Sequence, residues 1–188
     1  GLLRLKNAAS TLEELSTGSF QPVIPDLTAS HDVRRLVLCS GKVYYDIVAH
    51  DARPGATDVA VARLEQLYPF PVDAVAELIA SLPQLEEIVW VQEEPQNMGA
   101  WRSIRHRLDD AARSSSDVAG VSYIGRTWRA SPSEGYPTAH RLLLFGHIND
   151  AATALADFLP DLVAANDRAQ PLIGMVFGVI ELLRGRVL

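Results

Sequence analysis

The chain has 188 residues, of which 48% are hydrophobic and 21% charged, enough apolar material to bury one core and too much for global disorder. Lys and Arg total 17 against 23 for Asp and Glu; the net charge of -6 argues against a nucleic-acid binder held by phosphate contacts. The single cysteine, Cys39, excludes an internal disulfide framework, and no apolar run reaches the ~18 residues that span a bilayer.

Gly1 opens the sequence, and Gly1-Leu2-Leu3-Arg4-Leu5-Lys6 lacks the apolar stretch of a signal peptide. The chain reads as the middle of something longer, in a reducing compartment. Leu12-Glu13-Glu14-Leu15 predicts a short helical turn that Ser10 or Thr11 would cap. Phe20 to Ile24 is a possible short edge strand, since Pro22 does not suit a central ladder. Leu36-Val37-Leu38-Cys39 is a continuous apolar run, the signature of a strand buried on both faces. Val43 to Ala52 has helical spacing, with Val43, Ile47 and Val48 expected on one face and Pro54-Gly55 closing it. Asp58 to Leu64 is a second buried strand. Val72 to Leu82 is a helix entered through Pro71, with Val75, Leu78, Ile79 and Leu82 facing a core. Glu87 to Val91 is a third strand. Gly99 to Arg113 is a helix with Trp101, Ile104, Arg105 and Leu108 on one side. Gly120 to Gly125 is a fourth strand. Residues 141–188 break the alternation and predict helices at 150–158, 161–169 and 172–183.

Strands alternating with helices predict an α/β fold, a mostly parallel sheet covered on both faces in a three-layer α/β/α arrangement. Ligands in such sheets bind at the carboxyl ends of the strands, and four segments fall there. Ser40-Gly41-Lys42 combines a strand end, a turn glycine and a lysine entering a helix, the elements of an anion site; an ordinary tight turn has the same composition. Leu64 to Pro71 carries Gln66, Tyr68 and Phe70 with two stiffening prolines and suits either a rigid interface wall or a loop packing its own aromatics. Gln92 to Trp101 brings together Glu93, Glu94, Asn97 and Trp101. Paired acids there could move a proton or hold a cation; alternatively one glutamate pairs with an arginine and Asn97 caps the helix. Gly125 to His140 holds Arg126, Arg129 and two aromatics, a composition favoured at interfaces, though a solvated connection is the other reading. The five histidines show no metal-ligand spacing, no nucleophile triad is visible, and Cys39 reads as a small core residue.

Taken in order, Leu38-Cys39-Ser40-Gly41-Lys42-Val43-Tyr44-Tyr45-Asp46, Asp58 through Pro71, Val89 through Trp101, and Tyr123 through Gly135 with His140 resemble the carboxy-terminal domain of the 2-oxoglutarate dehydrogenase decarboxylase component. Leu2 to Lys6 is similar to the segment leading into it, so the resemblance covers residues 1–140. It implies a transketolase carboxy-terminal fold, a five-stranded mixed sheet with one antiparallel edge strand, for which Phe20–Ile24 is the candidate. It also implies a thiamine-diphosphate enzyme of the tricarboxylic acid cycle, cytoplasmic and part of a multienzyme complex. Such an enzyme decarboxylates 2-oxoglutarate and passes the succinyl group to a lipoyl-bearing succinyltransferase.

The family holds thiamine diphosphate and Mg²⁺ in upstream domains, and no Gly-Asp-Gly magnesium motif occurs here, so no catalytic, cofactor or metal residue is expected in this segment. Its expected roles are structure, homodimer formation or effector binding. Ser40, Gly41, Lys42 and Gln66 are the candidate pocket for a nucleotide or acyl-CoA effector. Tyr68, Phe70, Glu93, Glu94, Asn97, Trp101, Arg126 and Arg129 are the candidate interface. No nucleic-acid or membrane partner is expected. The tail from Arg141 departs from the family pattern, and its Gly174 and Gly178 spacing is too isolated to carry meaning. Two alternatives stay open: a segment of a multifunctional 2-oxoglutarate decarboxylase or carboligase, and a stand-alone noncatalytic binding module.

Overall fold

An apolar run without polar interruption must satisfy its backbone in a ladder and its side chains between two layers. The computed structural model describes residues 2–30, 32–51 and 53–132. In it, such runs build one five-stranded sheet. The strands are β1 (Val23–Ile24), β2 (Arg35–Cys39), β3 (Val59–Leu64), β4 (Glu87–Val91) and β5 (Val121–Ile124). Their spatial order is β1, β3, β2, β4, β5. β2 lies parallel to both β3 and β4, and β4 lies parallel to β5. β1 is the antiparallel edge, with Val23 opposite Leu64. The strand expected over 20–24 is therefore shortened to its last two residues, beyond Pro22, which has no N–H for a ladder.

Helices α2 (Lys42–Val48), α3 (Val72–Ala80) and α4 (Trp101–Ser115) make the crossovers. The chain leaves β2 toward β3 and later returns across β2 to β4 and β5, so right-handed connections put α2 on one face and α3 with α4 on the other. Two separate cores result. Val37, Cys39, Val59, Val61, Val89 and Val91 face Val43 and Ile47 of α2. Leu36, Leu38, Ala60, Ala62, Ile88 and Trp90 face Val75, Ile79, Trp101, Ile104 and Leu108. Alternate residues of one strand thus serve opposite layers, which is why each run is apolar without a break.

Two residues expected to share a helix face with core residues turn outward. Val48 is exposed, because it is five residues past Val43, about 140° around a helix of 3.6 residues per turn. Arg105 is also exposed, its guanidinium lying 5.5 Å from the centre of the Trp101 ring. Before the sheet, α1 (Leu12–Thr17) is closed by a capping box. Glu14 N donates to Thr11 Oγ1 at 3.2 Å, and Thr11 N donates to Glu14 Oε2 at 2.6 Å. Thr11, not Ser10, is the cap.

One buried ion pair locks the sheet's edge. Beyond β1 the Asp26 carboxylate accepts from Val61 N (2.9 Å), from Thr28 N (2.9 Å), from Thr28 Oγ1 (2.6 Å) and from Arg53 Nη2 (2.5 Å). The Asp26 side chain is 9% exposed and that of Arg53 15%. The carboxylate extends the edge of β3 where β1 has stopped. The expected boundary at His140 and the tail 141–188 with its helices lie outside the described residues.

Candidate functional site

A doubly wound sheet opens a crevice where neighbouring strands send their connections in opposite directions. Here those strands are β2, which exits toward β3, and β4, which exits toward β5. Cys39 is in register with Val91, so Ser40-Gly41 and Gln92-Glu93 flank the crevice. Cys39 is also in register with Arg63, which sets Gln66 just beyond the neighbouring strand end. The fold thus gathers residues 40–42, 64–71, 92–101 and the described part of the fourth segment, 125–132, at the carboxyl ends of the strands.

At the β2 exit, Gly41 takes φ 74 at the entry to α2. A side chain there would meet no atom within 4 Å, so backbone conformation alone asks for glycine. Lys42 forms an ion pair with Asp46 one turn on. At the β3 exit, Gln66 Nε2 donates to Pro69 O at 2.7 Å and stiffens the loop. Tyr68 stands 86% exposed at its tip while Phe70 turns into the core.

The β4 exit is organised by a residue whose role the sequence did not disclose. Gln92 is 5% exposed. Its Oε1 accepts from Trp90 Nε1 (2.9 Å) and from the first backbone N–H of α4, Trp101 N (3.1 Å). Its Nε2 donates toward the carbonyls of Glu94, Pro95 and Met98 at 3.3, 3.1 and 2.8 Å. One amide therefore holds the loop and caps the helix, the second of these being the role that one reading of the sequence gave to Asn97. Gly99 (φ 64) lets the loop close on it, since a Cβ there would lie 2.9 Å from Gln92 Nε2. A glutamine directly after a buried strand and before a Gly-Ala-Trp helix entry was the available signal; nothing in the sequence said that it points inward.

Asn97 instead ties the loop to the β5 exit. Its Nδ2 donates to Arg129 O at 2.9 Å, and Arg129 N donates to Asn97 Oδ1 at 3.0 Å. Gln96 N also donates to Arg126 O at 2.8 Å. Arg126 is buried and donates through Nη1 to Pro132 O at 2.7 Å. Among the interface candidates, Tyr68, Glu94 and Arg129 are exposed, Glu93 and Asn97 half-buried, and Phe70, Trp101 and Arg126 buried.

A second cluster absent from the sequence reading lies between β3 and α2. The half-buried Arg63 donates to Tyr45 Oη at 2.6 Å and lies 4.7 Å from the Tyr44 ring centre. Glu65 Oε1 is 3.6 Å from the same guanidinium. Burial pushes Tyr44 up from its usual pKa, against the pull of Arg63. Burial likewise pushes the Cys39 thiol up to about 12 and the Tyr123 hydroxyl to about 12. A thiol in that state stays protonated at neutral pH and is no nucleophile. An open cavity of about 550 Å³ lies at the other end of the strands, lined in part by Ser30, His50, Asp51 and Thr57, away from these exits.

The architecture defines the class: a three-layer, doubly wound α/β domain whose strand exits are held by backbone-directed polar groups. The chain belongs to the 2-oxoglutarate dehydrogenase C-terminal family, whose sequence model matches residues 9–151. It is 52% identical over 145 residues to the 2-oxoglutarate dehydrogenase E1 component of Bacillus subtilis (strain 168). It is 45% identical over 141 residues to that of Azotobacter vinelandii. Each match covers 74% of this chain and 15% of the relative. The E1 component of Coxiella burnetii is 39% identical over 155 residues, 80% of this chain and 16% of that protein. The chain thus spans about a sixth or less of the length of these relatives.

The family implies thiamine diphosphate and Mg²⁺. Among the described residues no three His, Cys, Asp or Glu side chains converge to hold a metal ion, and no catalytic step is assigned to these residues. Among them, too, no helix is long and apolar enough to cross a membrane.

Proposed function

We propose that this chain serves as the carboxy-terminal domain of a cytoplasmic, homodimeric 2-oxoglutarate dehydrogenase E1 enzyme. That enzyme decarboxylates 2-oxoglutarate on thiamine diphosphate and hands the succinyl group to a lipoyl-bearing succinyltransferase. Within it the domain is noncatalytic and supports assembly and effector binding, with residues 141–188 an accessory tail after His140. The observation that carries the reading is the family match over 9–151, joined to relatives that are all E1 components.

The interface role falls to the exits of β3, β4 and β5. Exposed Tyr68, Glu94 and Arg129 meet the neighbour there, with Glu93 and Asn97 beside them and buried Phe70, Trp101 and Arg126 supporting from beneath. The effector role falls to Ser40, Gly41, Lys42 and Gln66, where a phosphate group of a nucleotide or acyl-CoA would find backbone N–H groups and a cation. Register supports this grouping, and Arg63, whose Nε is buried without an acceptor, adds a second cation beside it.

The test is a hybrid enzyme in which this chain replaces the matched part of the Bacillus subtilis component. Thiamine-dependent turnover of 2-oxoglutarate by the hybrid dimer is expected. A folded hybrid no more active than the enzyme lacking the domain overturns the assignment. The 188-residue chain alone is expected to show no saturable micromolar binding of thiamine diphosphate in calorimetry. If an acyl-CoA or nucleotide binds the hybrid, Lys42→Ala weakens it by about 1–3 kcal/mol, the scale of a charge-assisted hydrogen bond; unchanged affinity moves the effector site elsewhere.

A further inference from the structure

We propose that the start of α4 and the β5 exit together form a basic, aromatic platform that binds an acidic segment of a partner polypeptide. The inference rests on reading these exits as an interface and adds the chemistry of what meets them. Arg102 and Arg105 lie on one side of the first turns of α4, and both are exposed; Arg107, about 140° around the helix from Arg102, is on the opposite flank and outside the platform. Arg129, also exposed, is fixed beside them by its paired backbone bonds to Asn97. Two of the cations are laid on rings: Arg102 lies 5.9 Å from the centre of Trp128, and Arg105 lies 5.5 Å from that of Trp101. Trp128 is 66% exposed.

Arg105, itself exposed, meets the largely buried Asp109 only at 3.7 Å, a long contact. Among the described residues no carboxylate pairs with Arg102 or Arg129. On a chain of net charge -6 this is a local reversal of sign.

The chemistry selects the partner. A guanidinium stacked on an indole keeps its N–H edge for a carboxylate, and Arg with Trp is the pairing that dominates interface energetics. The Asn97 bridge holds the Trp128-Arg129 backbone in place, so little ordering remains to be done on binding. Glu94 is exposed on the strand side of the same loop. With the acidic remainder of the chain it repels a long polyanion while leaving room for a few carboxylates. An exposed tryptophan adds apolar area that a peptide side chain covers and a sugar-phosphate backbone does not.

The experiment titrates the full 188-residue chain with a short fluorescent poly-glutamate peptide bearing one central phenylalanine, at low salt, and in parallel with a short single-stranded DNA. The expected result is saturable peptide binding, screened by salt. It falls about tenfold or more in the Arg102→Glu, Arg129→Glu double variant and about threefold in Trp128→Ala, typical of interface charges and aromatics. Arg4→Glu, far from the platform in sequence, leaves it unchanged. Circular dichroism checks the fold, and Trp128→Ala, which removes an exposed ring and no charge, decides if the double variant unfolds. Absent binding, or equal binding by the platform variants, overturns the proposal, as does tighter binding of the DNA. Hybrid enzyme that assembles and turns over while the peptide fails to bind leaves the interface reading standing and removes only the acidic partner.

Discussion

Replacing Gln92 by alanine removes the amide that joins β4, α4 and the loop between them. Two buried donors, Trp90 Nε1 and Trp101 N, lose their acceptor, and an orphaned buried donor costs about 1–3 kcal/mol. Of the three carbonyls served by Nε2, those of exposed Glu94 and half-buried Met98 are within reach of water, whereas that of buried Pro95 loses its donor. The two donors sum to a loss of about 2–6 kcal/mol, or about 6–18 °C in Tm at roughly 3 °C per kcal/mol for a domain of this size. Urea unfolding followed by far-UV circular dichroism measures it as a lower midpoint at unchanged slope. Gln92→Glu keeps the acceptor but sets a charge against three carbonyls, and is expected to be no better. Glu94→Gln in the same loop serves as the control. A Gln92→Ala loss no larger than that of the control refutes the argument that this amide holds the edge together.

Asp26→Ala leaves Arg53 and Val61 N–H without their acceptor and is expected to cost about 3–5 kcal/mol, the range for breaking a buried pair. Burial pushes the Asp26 carboxyl up, but the bonds from Thr28 and Val61 and the Arg53 charge outweigh it and leave the pKa below its ordinary 3.8. A depressed folded-state pKa contributes stability above the unfolded value that is lost as pH falls through the folded one. Wild type therefore loses stability below about pH 4 more steeply than Asp26→Asn does, read from denaturation midpoints across pH. Gly99→Ala is expected to cost about 1–3 kcal/mol and more than Gly41→Ala, since both have positive φ but only Gly99 also meets Gln92 within 3 Å; equal thermal shifts would contradict this. Cys39 should resist a thiol reagent at mild alkaline pH until the chain unfolds, and stoichiometric labelling of native protein would show that the strand opens. Truncation after His140 should leave a cooperative unfolding transition within a few degrees of the full chain's, whereas a chain that fails to fold places part of the tail in the core.

The sequence by itself determined the central strands, because a run buried on both faces has to be apolar, as Leu36 to Cys39 and Ile88 to Val91 are. It determined the helix faces wherever spacing of three and four residues persisted, as at Ile104 and Leu108. The ordered motifs from Ser40 to Trp101 fixed the family. What tertiary structure alone decided are the contacts made by polar residues far apart in the chain. Asp26 meets Arg53 across 27 residues, and Asn97 meets Arg129 across 32. Gln92, a loop residue by composition, becomes the buried centre of the β4 exit. Hydrophobic periodicity reports which way a side chain faces relative to its own backbone, and so it writes layers into sequence. A hydrogen bond depends on where another segment ends up, and no period carries that information; Gln92 turns inward only because α4 begins where β4 ends.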